Sequence, residues 1–491
     1  MIEMTLREIA DVVGGTLHDC PDPEVTVTGA VEFDSRRIGS GDLFLALPGE
    51  RTDGHDFAAK AVAAGAVAVL AARPVGVPAI VVEPRSSGPS RAIALAHDTD
   101  GSGAAVLEAL AKLARASVNR LVAAGALTVI GVTGSSGKTS TKDLLAAVLA
   151  PLGPVVAPPG SFNNEIGHPW TALRANAETR FLVLELSARG PGHIRALTEI
   201  APPSIGVVLN VGVAHLGEFG SREVIAQTKG ELVEALPSTG LAVLNADDQL
   251  VSAMSARTSA RVVQVGLSTG ADVRASNVVM DDQARASFTL HQGERTVEVS
   301  LAVHGEHQVG NALAAAAVAL ECGANLATIA AALSGANAVS ERRMDVRTRP
   351  DGVTVINDSY NANPDSVRAA LKALVTMSKS GADSRRSWAV LGEMGELGEE
   401  SVIEHDRIGR LVVRLDVDRL IVVGQGRPLR ALWQGAVQEG SWGEESLLVP
   451  DIESAIALLD DEVEAGDIVL VKASKSVGLW TVAEHLLEAT R

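Results

Sequence analysis

One stretch of the sequence combines glycines, hydroxyl side chains and a lysine at the spacing of a phosphate-binding loop. It is GVTGSSGKTSTK over residues 131–142, at the end of the apolar run LTVIGV and before the helical pattern LLAAVLA. In such loops backbone N–H groups converge on phosphate oxygens, the lysine reaches the terminal phosphates and the next hydroxyl binds magnesium. We therefore predict a site for a nucleoside triphosphate, with Thr139 beside Mg²⁺, formed by Gly134, Ser135, Ser136, Gly137, Lys138, Thr139 and Ser140.

The loop departs from the general G-x-x-x-x-G-K-[ST] spacing. Val132 stands five residues before Gly137, whereas Gly131 and Gly134 stand six and three residues before it. The alternative interpretation is a glycine–serine turn that enters a helix with an exposed lysine. The strand on one side and the helix on the other favour phosphate binding over that turn.

Three more side chains suited to metal or proton chemistry follow in the same region: Glu185 in LELSARGPG, His215 in NVGVAHLGEFGS and Lys229 in QTKGEL. Open parallel sheets bind ligands at the carboxyl ends of their strands. Mg²⁺ prefers oxygen ligands, so Glu185 and Thr139 are candidate ligands, and His215 is a softer, less usual one. Taken singly, His215 and Lys229 are better explained as a helix cap and a solvent-facing lysine.

The elements that must position these residues alternate between apolar runs and helical patterns. FLVLELS, IGVVLNV and LAVLN continue the rhythm begun by LTVIGV, which predicts a parallel sheet covered on both faces. RTVEVSLAV, from Arg295 to Val303, alternates by twos and predicts some antiparallel sheet. After Arg343 the rhythm restarts with VTVIND, SWAVLGE, LIVVG and DIVLVKAS. We predict an α/β protein with three domains, over residues 1–100, 101–342 and 343–491.

Composition and charge narrow the class of protein. A chain of 491 residues fits two to four domains, and a net charge of −18 argues against nonspecific nucleic-acid binding. Two cysteines cannot make a disulfide framework, which suits a reducing compartment. The start, MIEMTLREIADVV, lacks the features of a secretion signal, and no apolar run reaches the length of a membrane span. We expect a soluble, cytoplasmic protein with no membrane partner.

Eight segments, taken in chain order, resemble motifs of the Mur ligase family and span nearly the whole chain: TGSSGKTS, SFNNEIGHP, LELSARGPG, NVGVAHLGEFGS, QTKGEL, GEHQVGNALAAAA, RRMDV and NDSYNANPDS. The resemblance implies an N-terminal domain for a uridine nucleotide, a central P-loop ATPase domain and a C-terminal Rossmann-like domain. SFNNEIGHP and DSYNANPDSV most resemble the members that join D-alanyl-D-alanine to UDP-N-acetylmuramoyl-tripeptide. Those members make peptidoglycan precursor from small molecules, cleaving ATP to ADP through an acyl phosphate, and a monomer is expected.

The same resemblance assigns roles to residues that spacing alone leaves open. It implies that Ser35 and Arg36 hold the UDP group. It places four residues at the remaining substrate: Asn163, Asn164, Tyr360 and Asn361. It places three at the nucleotide: Asn311, Arg343 and Asp358.

The resemblance also implies that Glu185 and His215 bind Mg²⁺ and that Lys229 is carbamylated, so that Lys138, His215 and Lys229 serve catalysis. A free lysine with a pKa near 10.4 is cationic. Capture of carbon dioxide needs the neutral amine, which burial and nearby cations favour. Two residues depart from the family pattern. Ala473, between Lys472 and Ser474, stands where the glycine of a Lys-Gly-Ser segment is expected, and Ser187 stands where a glycine is common.

Three alternatives share part of this evidence. The ligase that adds the third peptide residue and folylpolyglutamate synthase use the same ATP machinery, but FNNEIG and YNANP favour the D-alanyl-D-alanine reaction. A regulatory GTP-dependent switch belongs to another class. The sequence lacks an Asn-Lys-x-Asp segment for guanine, which argues against the switch.

Overall fold

The computed structural model describes residues 1–49, 52–84, 98–212, 216–337, 339–380, 384–441 and 443–488. In these ranges the strands form one two-stranded sheet and three larger sheets of five, nine and six strands. The larger sheets fall within residues 1–100, 101–342 and 343–491 respectively. The α/β class with a central parallel-sheet domain is therefore confirmed, while the domain boundaries stay predictions.

The N-terminal region contains a five-stranded sheet of order β2-β7-β6-β5-β4, in which only β2 runs antiparallel to its neighbour. Strands β1 and β3 form a separate antiparallel pair. The strands of both sheets are short. The loop after β4 contains Ser35 and Arg36. The elements are β1 (Met4–Thr5), α1 (Leu6–Val13), β2 (Thr16–His18), β3 (Thr26–Val27), β4 (Val31–Glu32), β5 (Leu43–Leu45), α2 (Ala58–Ala63), β6 (Ala68–Ala71) and β7 (Ala79–Val81).

The central region begins with α3 and builds a nine-stranded sheet of order β16-β15-β14-β13-β12-β11-β8-β10-β9. Its strands are β8 (Thr128–Thr133), β9 (Val155–Val156), β10 (Phe181–Glu185), β11 (Ile205–Val208), β12 (Leu241–Asn245), β13 (Arg261–Gly266), β14 (Val273–Met280), β15 (Arg285–Gln292) and β16 (Arg295–His304). Its helices are α3 (Ser102–Ala123), α4 (Lys138–Leu149), α5 (Gly167–Ala172), α6 (His193–Ile200), α7 (Leu216–Phe219), α8 (Arg222–Glu234), α9 (Gln249–Ser252), α10 (Gln308–Glu321) and α11 (Leu326–Gly335).

The phosphate-binding loop follows β8, the third strand from one edge of this sheet. Strand β8 pairs in parallel with β10 on one side and β11 on the other, so their carboxyl ends meet at one edge. The antiparallel pairing of β16 with β15 confirms the prediction for residues 295–303. Buried alanines of α10 lie against α4, because small side chains let the two helices approach closely.

The C-terminal region forms a six-stranded sheet of order β17-β18-β22-β19-β20-β21, with only β17 antiparallel. Its strands are β17 (Asp345–Thr348), β18 (Thr354–Asn357), β19 (Ser387–Leu391), β20 (Arg419–Val423), β21 (Ser446–Val449) and β22 (Ile468–Lys472). Its helices are α12 (Pro364–Lys379), α13 (Ser401–Arg414), α14 (Arg427–Glu439), α15 (Ile452–Glu462) and α16 (Trp480–Glu488). A capping box of Asn363 and Ser366, with Pro364 as the first helical residue, fixes the start of α12 beside the end of β18.

Among the described helices, none combines the length and the apolar character that a membrane crossing would require.

Candidate active site

The phosphate-binding loop leaves β8 and turns into α4 at Gly137. Gly137 has a φ of +82°, a left-handed conformation that favours glycine, and α4 begins at the next residue. The Lys138 ammonium donates to the Gly134 carbonyl (2.7 Å), which folds the lysine back over the loop. Asn210, after β11, accepts from the Ser136 amide (2.9 Å) and donates to its carbonyl (3.2 Å). The neighbouring strand end therefore fixes the conformation of the loop.

A compact polar cluster surrounds Thr139, at the end of this loop. The hydroxyl of Thr139 is 2.8 Å from Ser161 Oγ and donates to Glu185 Oε2 (3.3 Å). Arg343 Nη2 donates to Ser161 Oγ (3.1 Å) and lies 3.4 Å from Thr139 Oγ1. The Arg343 guanidinium also stacks over the Tyr360 ring, with its carbon 4.2 Å from the ring centroid. Residues from three distant parts of the chain thus converge where strands β8 and β10 end.

Burial makes this cluster electrostatically unusual. It raises the pKa of Glu185, against the attraction of Lys138, Arg343 and Lys142, and it lowers the pKa of Lys138 to about 8. Glu185 Oε1 is buried and has no hydrogen-bond partner among the described residues. A buried carboxylate oxygen without a donor next to a threonine hydroxyl fits an oxygen-seeking cation such as Mg²⁺.

The other residues expected at the metal lie less openly in the site. Lys229 on α8 is buried, at 4% exposure, and its pKa is well below the ordinary lysine value because of burial first and the charge of Lys138 second. His215 lies outside the described residues. No group of three or more His, Cys, Asp or Glu side chains able to hold a metal occurs in the ranges that the structure describes.

The C-terminal sheet contributes a buried ion pair to the site. Lys472, at the end of β22, lies 2.5 Å from Asp358 Oδ2 and also donates to the carbonyls of Asp358 and Asn361. Asp358 Oδ1 accepts from the Met344 amide (3.2 Å). The predicted nucleotide residue Asp358 is therefore tied to its own domain, where it shapes the loop that carries Tyr360.

The departure at Ala473 has a structural counterpart at Gly392. A β-carbon built on Gly392 would come within 2.8 Å of the Ala473 β-carbon. Gly392 follows β19, the strand that pairs with β22. The close approach of the two strand ends therefore depends on the glycine at position 392, after β19, and not on a glycine at position 473, after β22. The methyl group of Ala473 therefore faces Gly392, which has no side chain to clash with it.

A cleft of about 1200 Å³ joins the central and C-terminal regions over these residues. Asn163 also donates to Glu185 Oε2 (3.3 Å), while Asn164 Oδ1 accepts from the amide of Gly167, at the start of α5. The cleft wall includes the following predicted residues: Ser135, Ser136, Gly137, Lys138, Thr139, Ser140, Asn163, Asn164, Glu185, Arg343, Asp358, Tyr360 and Asn361. The half-buried Ser187, the second departure, lies in the same wall.

Five of the predicted residues that the structure describes do not line this cleft: Gly134, Lys229, Asn311, Ser35 and Arg36. Asn311 lines an adjoining cavity of about 410 Å³, where its side chain packs against Gly137 and donates to Gln308 (2.9 Å). Ser35 and Arg36 are in the N-terminal region, and Arg36 pairs with Asp34 (2.7 Å).

An aromatic cluster links the N-terminal region to the cleft. The ring of Phe33 is 5.8 Å from that of Trp170, which is 4.9 Å from Phe162. Phe33 precedes Ser35 and Phe162 precedes Asn163, so this cluster connects the two predicted substrate segments.

The central and C-terminal regions also touch at the mouth of the cleft. The Arg189 guanidinium pairs with Glu396 (2.9 Å), and the Gly217 amide donates to the Glu396 carbonyl (3.4 Å). Gly217 and Gly398 meet backbone to backbone, because a β-carbon on Gly217 would lie only 2.6 Å from the Gly398 α-carbon. Ser161, Asn210 and this glycine pair were not predicted from sequence, although Ser161 belongs to the SFNNEIGHP motif.

Comparison with known proteins shows which family the chain resembles as a whole. Three family models match in chain order: the Mur ligase family catalytic domain over residues 28–118, the Mur ligase middle domain over 132–319 and the Mur ligase glutamate ligase domain over 342–475. A UDP-N-acetylmuramoyl-tripeptide--D-alanyl-D-alanine ligase of Mycobacterium tuberculosis is 62% identical and covers 99% of this chain and 98% of its own.

Solved structures give the same result. A crystal structure of MurF from Acinetobacter baumannii matches with a TM-score of 0.82 and 30% identity over 99% of both chains. MurF ligase from Thermotoga maritima, in complex with ADP, matches with a TM-score of 0.76 and 29% identity over 94% of this chain and 98% of its own. With matched domains in this order and 62% identity over nearly its whole length, the chain belongs to the Mur ligase family.

Proposed function

We propose that this chain is the ADP-forming ligase that joins D-alanyl-D-alanine to UDP-N-acetylmuramoyl-tripeptide. The observation that carries the proposal is the cluster of Lys138, Thr139, Glu185 and Arg343 in a cleft between two domains. The name of the 62% identical relative and the ADP in the Thermotoga maritima structure support the substrates and the nucleotide. The product would be a precursor of peptidoglycan, made in the cytoplasm by a monomer.

The first step transfers the γ-phosphoryl group of ATP to the terminal carboxylate of the tripeptide. Carboxylate oxygen attacks phosphorus, the bond to ADP breaks, and an acyl phosphate forms. Lys138 and Arg343 face the place where the transferred charge develops, and fixed cations there stabilise the transition state more than the ground state. Ser135 to Ser140 orient the phosphates through backbone N–H groups and hydroxyls.

The second step forms the amide. The neutral amine of D-alanyl-D-alanine attacks the acyl carbonyl carbon, the bond to phosphate breaks in the tetrahedral intermediate, and the departing phosphate takes up the proton that the amine loses. Tyr360 and Asn361 on the C-terminal side, and Asn163 and Asn164 on the central side, would border the reacting groups. Their position between domains lets closure exclude water and align the reactants.

Mg²⁺ fits the described residues at Thr139 and Glu185, whose free carboxylate oxygen has no other partner. When bound, the ion would neutralise phosphate charge. His215 and a carbamylated Lys229 would complete its surroundings. The lowered pKa of Lys229 supports the modification, because neutral lysine adds to carbon dioxide to give a carbamate anion and a proton.

The nucleotide and the UDP group would bind at opposite ends. Asn311 borders the adjoining cavity, so the adenosine part of ATP would extend there from Lys138, with Asp358 shaping the loop between. Ser35 and Arg36 would hold the UDP group, and the aromatic cluster of Phe33, Phe162 and Trp170 would align it with the cleft.

The decisive experiment supplies UDP-N-acetylmuramoyl-tripeptide, ATP, Mg²⁺ and D-alanyl-D-alanine to the purified chain. We expect ADP and a product heavier by the dipeptide, detected by mass spectrometry, and Lys138→Ala should abolish both. Two rival substrate pairs test the alternatives: UDP-N-acetylmuramoyl-dipeptide with a diamino acid for the ligase that adds the third residue, and a folate with glutamate for folylpolyglutamate synthase. Product from either rival pair, with none from tripeptide and D-alanyl-D-alanine, would overturn the proposal.

A further inference from the structure

Lys142 is a buried cation that the reaction above does not use. It lies on α4 after Thr139, and its side chain is 3% exposed. The ammonium is 2.5 Å from Asp143 Oδ1 and donates to the Pro158 carbonyl (3.0 Å) and to Ser340 Oγ (3.2 Å). Three acceptors satisfy all three N–H groups, as a buried ammonium requires.

These partners belong to three segments that meet at the phosphate site. Asp143 is on α4, Pro158 lies in the loop that leads to Ser161, and Ser340 lies in the linker that enters the C-terminal domain. The Ser340 amide also lies 3.3 Å from Asp143 Oδ2. We call Lys142, Asp143 and Ser340 the linker clasp.

The linker needs such support because its backbone is strained on both sides of Arg343. Arg342 has a φ of +59° and Met344 a φ of +50°, both left-handed and neither a glycine. Each costs about 1 kcal/mol or more and persists only where surrounding contacts impose it. Between them Arg343 points at Thr139 and Ser161 and stacks on Tyr360.

We infer that Lys142 is a positioning residue: the linker clasp fixes the strained linker so that Arg343 reaches the phosphate site. The inference rests on the proposed function, because Arg343 matters only if phosphoryl transfer occurs there. It goes further than the proposed function because it states that α4 of the central domain positions Arg343, a residue of the linker.

The first test compares Ser340→Ala with Ser378→Ala. Each removes one buried serine hydroxyl, but the Ser378 hydroxyl donates to the Val375 carbonyl within α12, and Ser378 does not line the cleft. Loss of a hydrogen bond to a charged group should lower kcat/KM for ATP about tenfold in Ser340→Ala and leave Ser378→Ala unchanged. Lys142→Met should lose more than Lys142→Arg, which keeps the charge. Equal activity of the two serine variants would overturn the inference.

The second test asks whether the clasp acts through Arg343. In an Arg343→Ala background, Ser340→Ala should not weaken ATP affinity further, whereas a purely structural role would give additive losses. Tyr360 is the only tyrosine, so fluorotyrosine labelling gives one ¹⁹F resonance beside Arg343. That resonance should shift in Ser340→Ala and not in Ser378→Ala.

The resonance separates the two failures. A wild-type chain that neither binds nor cleaves ATP would refute the proposed function. A wild-type chain that turns over ATP, with an unshifted resonance in Ser340→Ala or with additive losses, would refute the clasp alone.

Discussion

Gly392→Ala tests how tightly the ends of β19 and β22 must pack for the site to form. The added β-carbon would lie 2.8 Å from the Ala473 β-carbon and 3.2 Å from Val477 Cγ1. Apolar carbons pack at about 3.5–4.0 Å, so the first contact overlaps by roughly 1 Å. Gly392 is not among the residues with positive φ, so the penalty is steric alone. Overpacking of this kind costs about 1–3 kcal/mol, and it should push Lys472 away from Asp358.

The assay is urea unfolding followed by tryptophan fluorescence, together with ATP affinity by calorimetry. Trp388 on β19 is 1% exposed and reports on this sheet. The double variant Gly392→Ala/Ala473→Gly removes the Ala473 methyl group with which the new β-carbon would overlap, so it should regain most of the lost stability. A small loss should remain because the new β-carbon still lies close to Val477. Ala473→Gly alone should cost about 1–2 kcal/mol through the lost methyl and added chain entropy. If the double variant lost the sum of the two single losses, direct packing of these methyl groups would be refuted.

Three other predictions concern the charges of the cleft. Lys138 has a pKa of about 8 without ligand, and a bound phosphate should raise that pKa, so ATP binding above pH 8 takes up a proton. The affinity for ATP should therefore fall by up to about tenfold for each pH unit above 8. Equal affinities in calorimetry at pH 7 and pH 9 would contradict this prediction. Burial raises the pKa of Glu185 above its ordinary value of 4.5, so this carboxyl destabilises the folded state increasingly as the pH rises above that ordinary value. The ligand-free Glu185→Gln variant should therefore be more stable than the wild type at pH 7.5 and should lose magnesium-dependent ADP formation. A less stable variant in urea unfolding would refute the reasoning. Lys229→Ala should be inactive, and short carboxylic acids should partly restore its activity because they supply the missing carboxylate. The control variant Ser378→Ala should not respond to these acids. Carbamylation would be contradicted if the acids restored no activity and if mass spectrometry at neutral pH found no carbon dioxide adduct on wild-type Lys229.

Sequence was most informative where the chemistry is local. The phosphate-binding loop needs a strand, a glycine turn and a helix start within a dozen residues, and each leaves a mark in the same segment. Strands β8, β10 and β11 were predictable for a similar reason, since strands buried on both faces are continuous apolar runs.

Long-range pairing could not be predicted in this way. The stacking of Arg343 on Tyr360 depends on a strained linker, and the Lys472–Asp358 pair depends on β18 and β22 being neighbours although they are far apart in sequence. No periodicity in the sequence predicts either contact. The link from Phe33 to Phe162 through Trp170 likewise arises only from the packing of two domains.

The contact of Gly217 with Gly398 bears on the stoichiometry of the reaction. Two backbones meet with no side chain between them, so these domains approach as closely as polypeptide allows at that point. A methyl group on Gly217 would act as a spacer and hold the mouth of the cleft ajar. The activated acyl group would then meet solvent before it met the dipeptide, and the enzyme would spend more than one ATP for each amide made.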